Sequence, residues 1–396
     1  MSSLLPVADA LAAVLAQAKP LPLEDVPLPR AAGRILARGV AAVVDLPPFP
    51  SSSMDGYAVR AGDTPGVLPV VGHSAAGRPA SRSLGAGEAI EISTGAVVPE
   101  GADAVIPVEL VVVRPDEIEI SAPVAPDANI RSRGGDVRAG DEVLAAGNVL
   151  TAARVGAIAA CGIETITAHR APRVTILVTG SELRTPGELL APGQIYESNG
   201  IMLARVLEEA GAVVERLAAA EDTEAALEQA LARALEADVV VTSGGVSVGP
   251  HDLVRSVEER LGVEEVFWGV AMRPGKPLAF GVRDGTLVFG LPGNPLSSLV
   301  GALLFVTPAL RALQGHPDPA PPFRPGTLAR EITPRPERDD FARARISWSE
   351  TGPVLDPLAG QESHMIVQTT AADAIVHIPR GTDVLAAGAT VGYLPL

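Results

Sequence analysis

Glu182, Asp252, Arg273 and Lys276 fall in or beside four loops rich in Gly and Pro. These are Val178-Thr-Gly-Ser-Glu182, Thr242-Ser-Gly-Gly-Val-Ser-Val-Gly249, Arg273-Pro-Gly-Lys276 and Gly290-Leu-Pro-Gly-Asn-Pro295. Each follows or separates a short hydrophobic run of β type. In an open parallel sheet, ligands sit in the crevice at the carboxyl ends of the strands, where Gly-rich backbone can turn several N–H groups toward an anion. The glycines Gly244, Gly245 and Gly249 suit such a nest, and Ser243 and Ser247 add hydroxyl donors. Asp252 stands where the next helix should begin, so it reads either as a ligand or as a helix N-cap. Arg273 and Lys276, held by prolines and a glycine, suit an anion clamp. The chemistry expected is recognition of a phosphate or another oxyanion.

Two further acids stand apart from these loops. Asp55, in Ser51-Ser-Ser-Met-Asp-Gly-Tyr-Ala58, opens an Asp-Gly turn, and Asp136 closes Asn129-Ile-Arg-Ser-Arg-Gly-Gly-Asp136. Each reads as a surface turn or as a charged ligand wall.

The elements that must position these residues change in texture along the chain. Pro6 to Lys19 has helical spacing, and a second helical stretch is expected at Ala31 to Val40. From Leu46 to about Val143, short runs such as Leu68 to Val71, Ala89 to Ile92 and Ala104 to Pro107 alternate with turns, as in a small all-β module. Helical pattern returns at Thr151 to Cys161, so residues 46–143 read as a β module inserted into an N-terminal helical or linker domain, 1–45 and 144–172. Residues 173–316 alternate strands (Val174 to Val178, Val213 to Ala218, Val239 to Thr242) with helices. The helices are Ser198 to Ala210, capped by Ser198 or Asn199, then Thr223 to Glu236 and Leu253 to Leu261. Two more β runs, Leu278 to Val282 and Leu287 to Phe289, precede a helix from Pro295 to Leu313. This is the pattern of a mostly parallel α/β domain. A proline-dense linker, Pro317 to Pro325, leads to residues 322–396, which read as short strands of a small barrel or sandwich.

Composition excludes several classes. At 396 residues the chain divides into two to four domains, and 47% hydrophobic residues rule out wholesale disorder. A net charge of −16 disfavours nucleic acid and anionic membranes, so an anionic ligand needs a local basic cluster. The single cysteine, Cys161, excludes an intrachain disulfide framework, and the six histidines lack metal-ligand spacing. No signal segment is evident and no run approaches the ~20 apolar residues of a membrane helix, so a cytoplasmic protein is expected. Neither Walker A nor G-x-G-x-x-G is present, since Pro277 follows Gly275-Lys276.

Five motifs in order carry a family resemblance: Met54-Asp-Gly-Tyr-Ala58, Arg131-Ser-Arg-Gly-Gly-Asp136, Thr242 to Gly249, Pro274-Gly-Lys-Pro277 and Gly290 to Pro295. Over essentially the whole chain the sequence resembles the molybdopterin molybdenumtransferases, the bacterial MoeA type and the E-domain of gephyrin. The resemblance implies a multidomain α/β fold: a central molybdopterin-binding domain, the inserted β module and a small C-terminal β-barrel domain. It implies insertion of molybdate into adenylylated molybdopterin with release of AMP, assisted by Mg²⁺. By similarity Asp55, Asp136, Glu182 and Asp252 are the functional acids, with Glu182 and Asp252 at the metal. Arg273, Lys276, Ser297, Arg343 and Ser363 would hold the oxyanion, while Pro277, Pro292, Asn294 and Pro295 belong to the substrate-binding loops.

A homodimer is implied, with Asp55 and Asp136 of one subunit serving a site that takes Asp252 and Lys276 from the other. The molybdopterin adenylyltransferase is a possible partner. Arg273 stands where the family often has Lys, Ser181 where it often has an acid, and Glu221-Asp222 where two aspartates are frequent. Competing readings are a tungstate-specific relative, a molybdopterin adenylyltransferase, which resembles the central domain alone, and a non-catalytic gephyrin-like scaffold.

Overall fold

The computed structural model describes residues 4–220, 223–245 and 253–396. The chain divides into two compact units. One comprises Asp25–Ala32 and Arg38–Thr167; the other comprises Met1–Glu24, Gly33–Ala37 and Ala168–Leu396.

The first unit is built on a six-stranded sheet. Its spatial order is Ala104–Pro107, Gly56–Val59, Ala89–Ile92, Gly66–Ser74, Glu117–Ile120 and Val111–Val113. Gly56–Val59 is buried at every position, and its side chains feed cores on both faces of the sheet: Tyr57 and Val59 pack with Ile106, Ile118 and Ile120, whereas Ala58 packs with Ile92 and Val105. Gly56 is required by close approach, because a Cβ there would fall 2.0 Å from the Ile106 carbonyl oxygen. The Asp-Gly pair of the sequence therefore enters this strand at once, leaving Asp55 at its rim. A helix, Ala152–Ala160, is capped by Thr151, whose side chain accepts from the Arg154 N–H.

The second unit contains the parallel sheet. Val213–Ala220, Arg173–Thr179, Val239–Ser243 and Thr286–Leu291 lie side by side and parallel, as three near-continuous apolar strands buried on both faces require. Beyond them Ala279–Arg283 and Glu264–Trp268 add two antiparallel strands. The first of these turns through Asp284-Gly285 at φ +50° and +88°, the signature of a tight hairpin. The sheet is thus mixed at one edge, and Glu264–Trp268 is a strand the sequence pattern did not single out. The helix Val7–Gln17 buries Ala10 and Val14 in the same core as Ile176, Val241 and Phe289.

Two expectations are corrected. No helix forms over Ala31 to Val40: Gly33 turns the chain at φ +80°, and Leu36 instead bridges to Ala168. Where no run of membrane-spanning length was expected, Pro295–Leu313 is a 19-residue helix apolar enough to span a membrane by composition; 78% of its most apolar window is buried, as in a core helix.

The C-terminal segment forms a closed five-stranded barrel. Asp339–Ser349 pairs Gly352–Pro357, followed by Arg324–Leu328, Thr390–Pro395 and Ala374–Ile378, which returns to Asp339–Ser349. Alternate residues such as Leu355, Val376 and Tyr393 fill it. Met272–Arg273 pairs in parallel with Asp339-Asp340, so the barrel is stitched to the loop that carries Arg273.

Candidate functional site

The carboxyl ends of three parallel strands, at Thr179, Ser243 and Leu291, open into a cleft of about 720 Å³. Its wall includes Gly180, Glu182, Glu197, Asn199, Gly244, Gly245 and the Pro292–Pro295 loop. Gly244 and Gly245 take φ +95° and +68°. A Cβ on the first would lie 2.9 Å from the Thr179 carbonyl oxygen, and one on the second 2.4 Å from Val254 Cγ2. No other residue type fits that turn without displacing the neighbouring strand or helix. Glu182 is exposed on the rim, its carboxylate folded over Gly180. Glu197 accepts the Gly200 N–H at 2.6 Å and lies 3.8 Å from Arg216.

A smaller cleft of about 450 Å³ adjoins it, sharing Pro277, Pro292, Asn294 and His364. Here the charge reverses: Arg273, Lys276, Arg335 and Arg338 line it, with Glu362 the one acid among the described lining residues. Ser297 and Ser363 complete the wall. Ser363 is fixed by its own carbonyl, which accepts the Leu296 N–H at 3.1 Å in the first turn of the Pro295–Leu313 helix. The Lys276 carbonyl accepts from both Val270 and Leu278 at 3.0 Å, which holds the Pro274-Gly-Lys276 turn.

Beneath the two clefts lies a buried polar network. Asn199 Nδ2 donates to Ser243 Oγ at 3.0 Å and to the Gly293 carbonyl at 2.8 Å, and the Ser298 hydroxyl donates to the Pro292 carbonyl. Asn199 makes no helix-cap bond; its side chain braces the loop instead. Ser243 is 1% exposed with its hydroxyl turned into this network, so it supports the floor rather than facing the cleft.

Arg343 is fully buried and lines neither cleft. Its guanidinium donates to the carbonyls of Gly360 and Met365 and, at 3.1 Å, to Thr369 Oγ1. Burial pushes it down from its ordinary pKa, with Glu362 acting the other way. Gln361 pairs with the Arg343 backbone in both directions, at 3.0 and 2.9 Å. Together they shape the segment that presents Ser363.

Asp340, 5% exposed, stands behind the basic cleft. Its Oδ2 accepts the Arg335 N–H at 3.1 Å, and its Oδ1 lies 3.6 Å from Arg273 Nε. Asn199, Asp340 and Gln361 were not singled out from sequence as site residues. Their signal is weak, since each acts by bracing a loop distant in sequence.

In the other compact unit, Asp55 Oδ1 accepts the Thr94 N–H at 2.6 Å, which holds its carboxyl below the usual range. Asp136 is exposed, and its N–H donates to the Leu46 carbonyl at 2.9 Å. Its loop is tied to the 45–53 segment by the pairing of Ile130 with Ser52 and by the Arg133–Asp45 ion pair at 2.5 Å. Ser247, Gly249 and Asp252, like Glu221 and Asp222, lie outside the described residues.

Comparison with known proteins covers the chain end to end. Family models described as the MoeA N-terminal region (domain I and II), the probable molybdopterin binding domain and the MoeA C-terminal region (domain IV) match residues 5–162, 175–312 and 325–396. The molybdopterin molybdenumtransferase 2 of Mycobacterium tuberculosis is 40% identical over 376 residues, 92% of each chain. The molybdopterin molybdenumtransferase of Haemophilus influenzae is 36% identical over 396 residues, covering 96% of this chain and 98% of its own. A crystal structure of a molybdopterin biosynthesis MoeA protein from Pyrococcus horikoshii superposes with a TM-score of 0.82 at 30% identity over the whole of both chains.

Proposed function

We propose, from the premise that this chain belongs to the MoeA family of molybdopterin molybdenumtransferases, that it inserts molybdate into adenylylated molybdopterin and releases AMP. Its transferase class and its place in molybdenum cofactor biosynthesis follow from that membership. The observation that supports the finer reading is the pair of adjoining clefts, one roomy and bordered by acids, the other small and basic.

Molybdate is a tetrahedral dianion, and Arg273, Lys276, Ser297 and Ser363 supply the cations and hydroxyls that recognise one. Each oxide displaced from molybdenum by a dithiolene sulfur takes up two protons to leave as water. Water adds to phosphorus as the P–O–P bond of the adenylylated pterin breaks, and AMP departs. The larger cleft has room for the pterin and nucleotide portions, with the Gly244-Gly245 backbone and the Pro292–Pro295 loop against them.

A magnesium ion takes one or two protein carboxylates together with substrate phosphates, and keeps part of its water. Glu182 on the rim, joined by Asp252 from the family resemblance, fits so sparse a set. Among the described residues no group of three metal-binding side chains suggests a denser cage. Bound there, the ion would neutralise charge on the anhydride.

We further infer a cytoplasmic homodimer whose site combines Asp55 and Asp136 of one subunit with Lys276 and Asp252 of the other. The chemistry is tested by incubating the purified protein with adenylylated molybdopterin, Mg²⁺ and either molybdate or tungstate, following AMP. Release that depends on molybdate is expected; no release with either oxyanion would sink the reading. The shared site is tested by reassembling Asp55→Ala and Asp252→Ala subunits in equal amounts. About half the dimers are mixed and each holds one intact site, so about a quarter of wild-type activity should return. No recovery in a preparation shown to contain mixed dimers would refute it.

A further inference from the structure

Of the five residues the family resemblance assigns to the oxyanion, Arg343 is buried away from the small cleft, and the charges around the other four do not balance a dianion. Arg273 stands 3.6 Å from the buried Asp340 carboxylate, which opposes its charge, and the wall carries one further acid, Glu362, against the single charge of Lys276. Counting only these, the cleft is close to neutral, in a chain whose net charge of −16 repels oxyanions at long range. Two cations in the lining are then left over, Arg335 and Arg338. Among the described residues neither has a carboxylate within ion-pair distance. Adding both brings the local excess to about two positive charges, the complement of one tetrahedral dianion.

Their placement is built rather than incidental. Both side chains project from the turn 335–338, closed by the Arg338 N–H on the Arg335 carbonyl at 3.2 Å. The same buried Asp340 that faces Arg273 with one oxygen holds the Arg335 N–H with the other, at 3.1 Å. One carboxylate thus fixes the two cation-bearing segments relative to each other. Arg338 is half-buried against the wall, while Arg335 stays exposed at its edge. A half-buried guanidinium loses part of its hydration, so contact with an oxyanion replaces water rather than competing with a full shell.

We infer that Arg335 and Arg338 are oxyanion-binding residues of this cleft, receiving inorganic molybdate beside Arg273 and Lys276. The inference rests on the molybdate reading proposed above. The test uses full-length protein in low salt, titrated by calorimetry with inorganic molybdate and, separately, with AMP. Wild type is compared with Arg335→Gln/Arg338→Gln, each single substitution and Lys276→Gln, with folding checked by circular dichroism. The double variant should bind molybdate at least about tenfold more weakly and AMP as wild type does, and the gap should narrow as salt rises. If it binds molybdate as wild type does while Lys276→Gln weakens it, the inference falls and the molybdate reading stands. Wild type that binds no molybdate at all overturns both. Loss confined to AMP overturns the assignment to the metal oxyanion. Should the double variant misfold, the single substitutions decide, each expected to weaken molybdate binding severalfold.

Discussion

The two adjoining clefts share a wall and differ in almost everything else. The larger is floored by neutral backbone and bordered by Glu182 and Glu197, while the smaller gathers Arg273, Lys276, Arg335 and Arg338. Both substrates of the proposed reaction are anions, yet a cleft with acids on its border cannot hold a phosphoanhydride by direct charge contact. Such a cleft needs a cation brought with the substrate, whereas the basic cleft can take its oxyanion unaided. The contrast separates the two substrates by the means of neutralisation, so changes in one cleft should leave binding in the other largely intact.

The largest departure from that picture should come at the acidic side. Glu182→Gln keeps the shape of the side chain and removes its charge. AMP release should fall on the order of 100-fold, the upper end of what losing a metal-site partner costs, and the Mg²⁺ concentration for half-maximal rate should rise. Molybdate affinity, measured separately, should not move. A matching loss of molybdate binding would show that the clefts are one electrostatic site.

Arg343 sharpens the comparison from behind the basic cleft. Truncating it to Ala leaves the half-buried carbonyls of Gly360 and Met365 without this donor, at no more than about 1 to 3 kcal/mol for each. Thermal denaturation should show the loss, and Arg343→Lys should restore little because an ammonium cannot span the same carbonyls. Full stability with lost molybdate binding would instead make Arg343 a direct ligand. At the cleft itself, Lys276→Ala removes one exposed cation. Losing a charge-assisted bond of about 1.5 to 3 kcal/mol weakens molybdate tenfold or more, with AMP binding unchanged in calorimetry.

Much of this was legible in the chain, for physical reasons that can be named. Apolar strands buried on both faces, such as Val174 to Val178 and Val239 to Thr242, announce themselves, and so do the Gly and Pro loops at their carboxyl ends. Arg273, Lys276, Ser297 and Ser363 are brought to one cleft. The bracing residues were harder to see. Asn199 reads as a helix cap because Asn favours that position, and its bonds to Ser243 and Gly293, 44 and 94 residues away, leave no local trace. Asp340 is one acid of an Asp-Asp pair at the start of a barrel strand, and only the parallel pairing of that strand with Met272–Arg273 reveals its partner. The absent helix at Ala31 to Val40 teaches the same lesson, since Leu36 is claimed by Ala168, 132 residues on.

The smallest effect expected concerns the wall the clefts have in common. Pro292 and Asn294 line both, and Gly293 between them is held by Asn199 Nδ2 at 2.8 Å, while the Ser298 hydroxyl holds Pro292. Asn199→Ala removes the first brace and leaves the second. A net hydrogen bond is worth about 1 kcal/mol, so if the ligand must re-order the loop, each affinity should drop by about fivefold. Because the brace touches neither charge set, molybdate and AMP should weaken alike, unlike the one-sided losses expected for Glu182→Gln and Lys276→Ala. Asn199→Asp should not rescue, since a carboxylate offers the Gly293 carbonyl no donor. Separate titrations of the two ligands into the variant decide the matter. A loss confined to one of them would place Asn199 in that ligand's own site and remove the shared wall from the account.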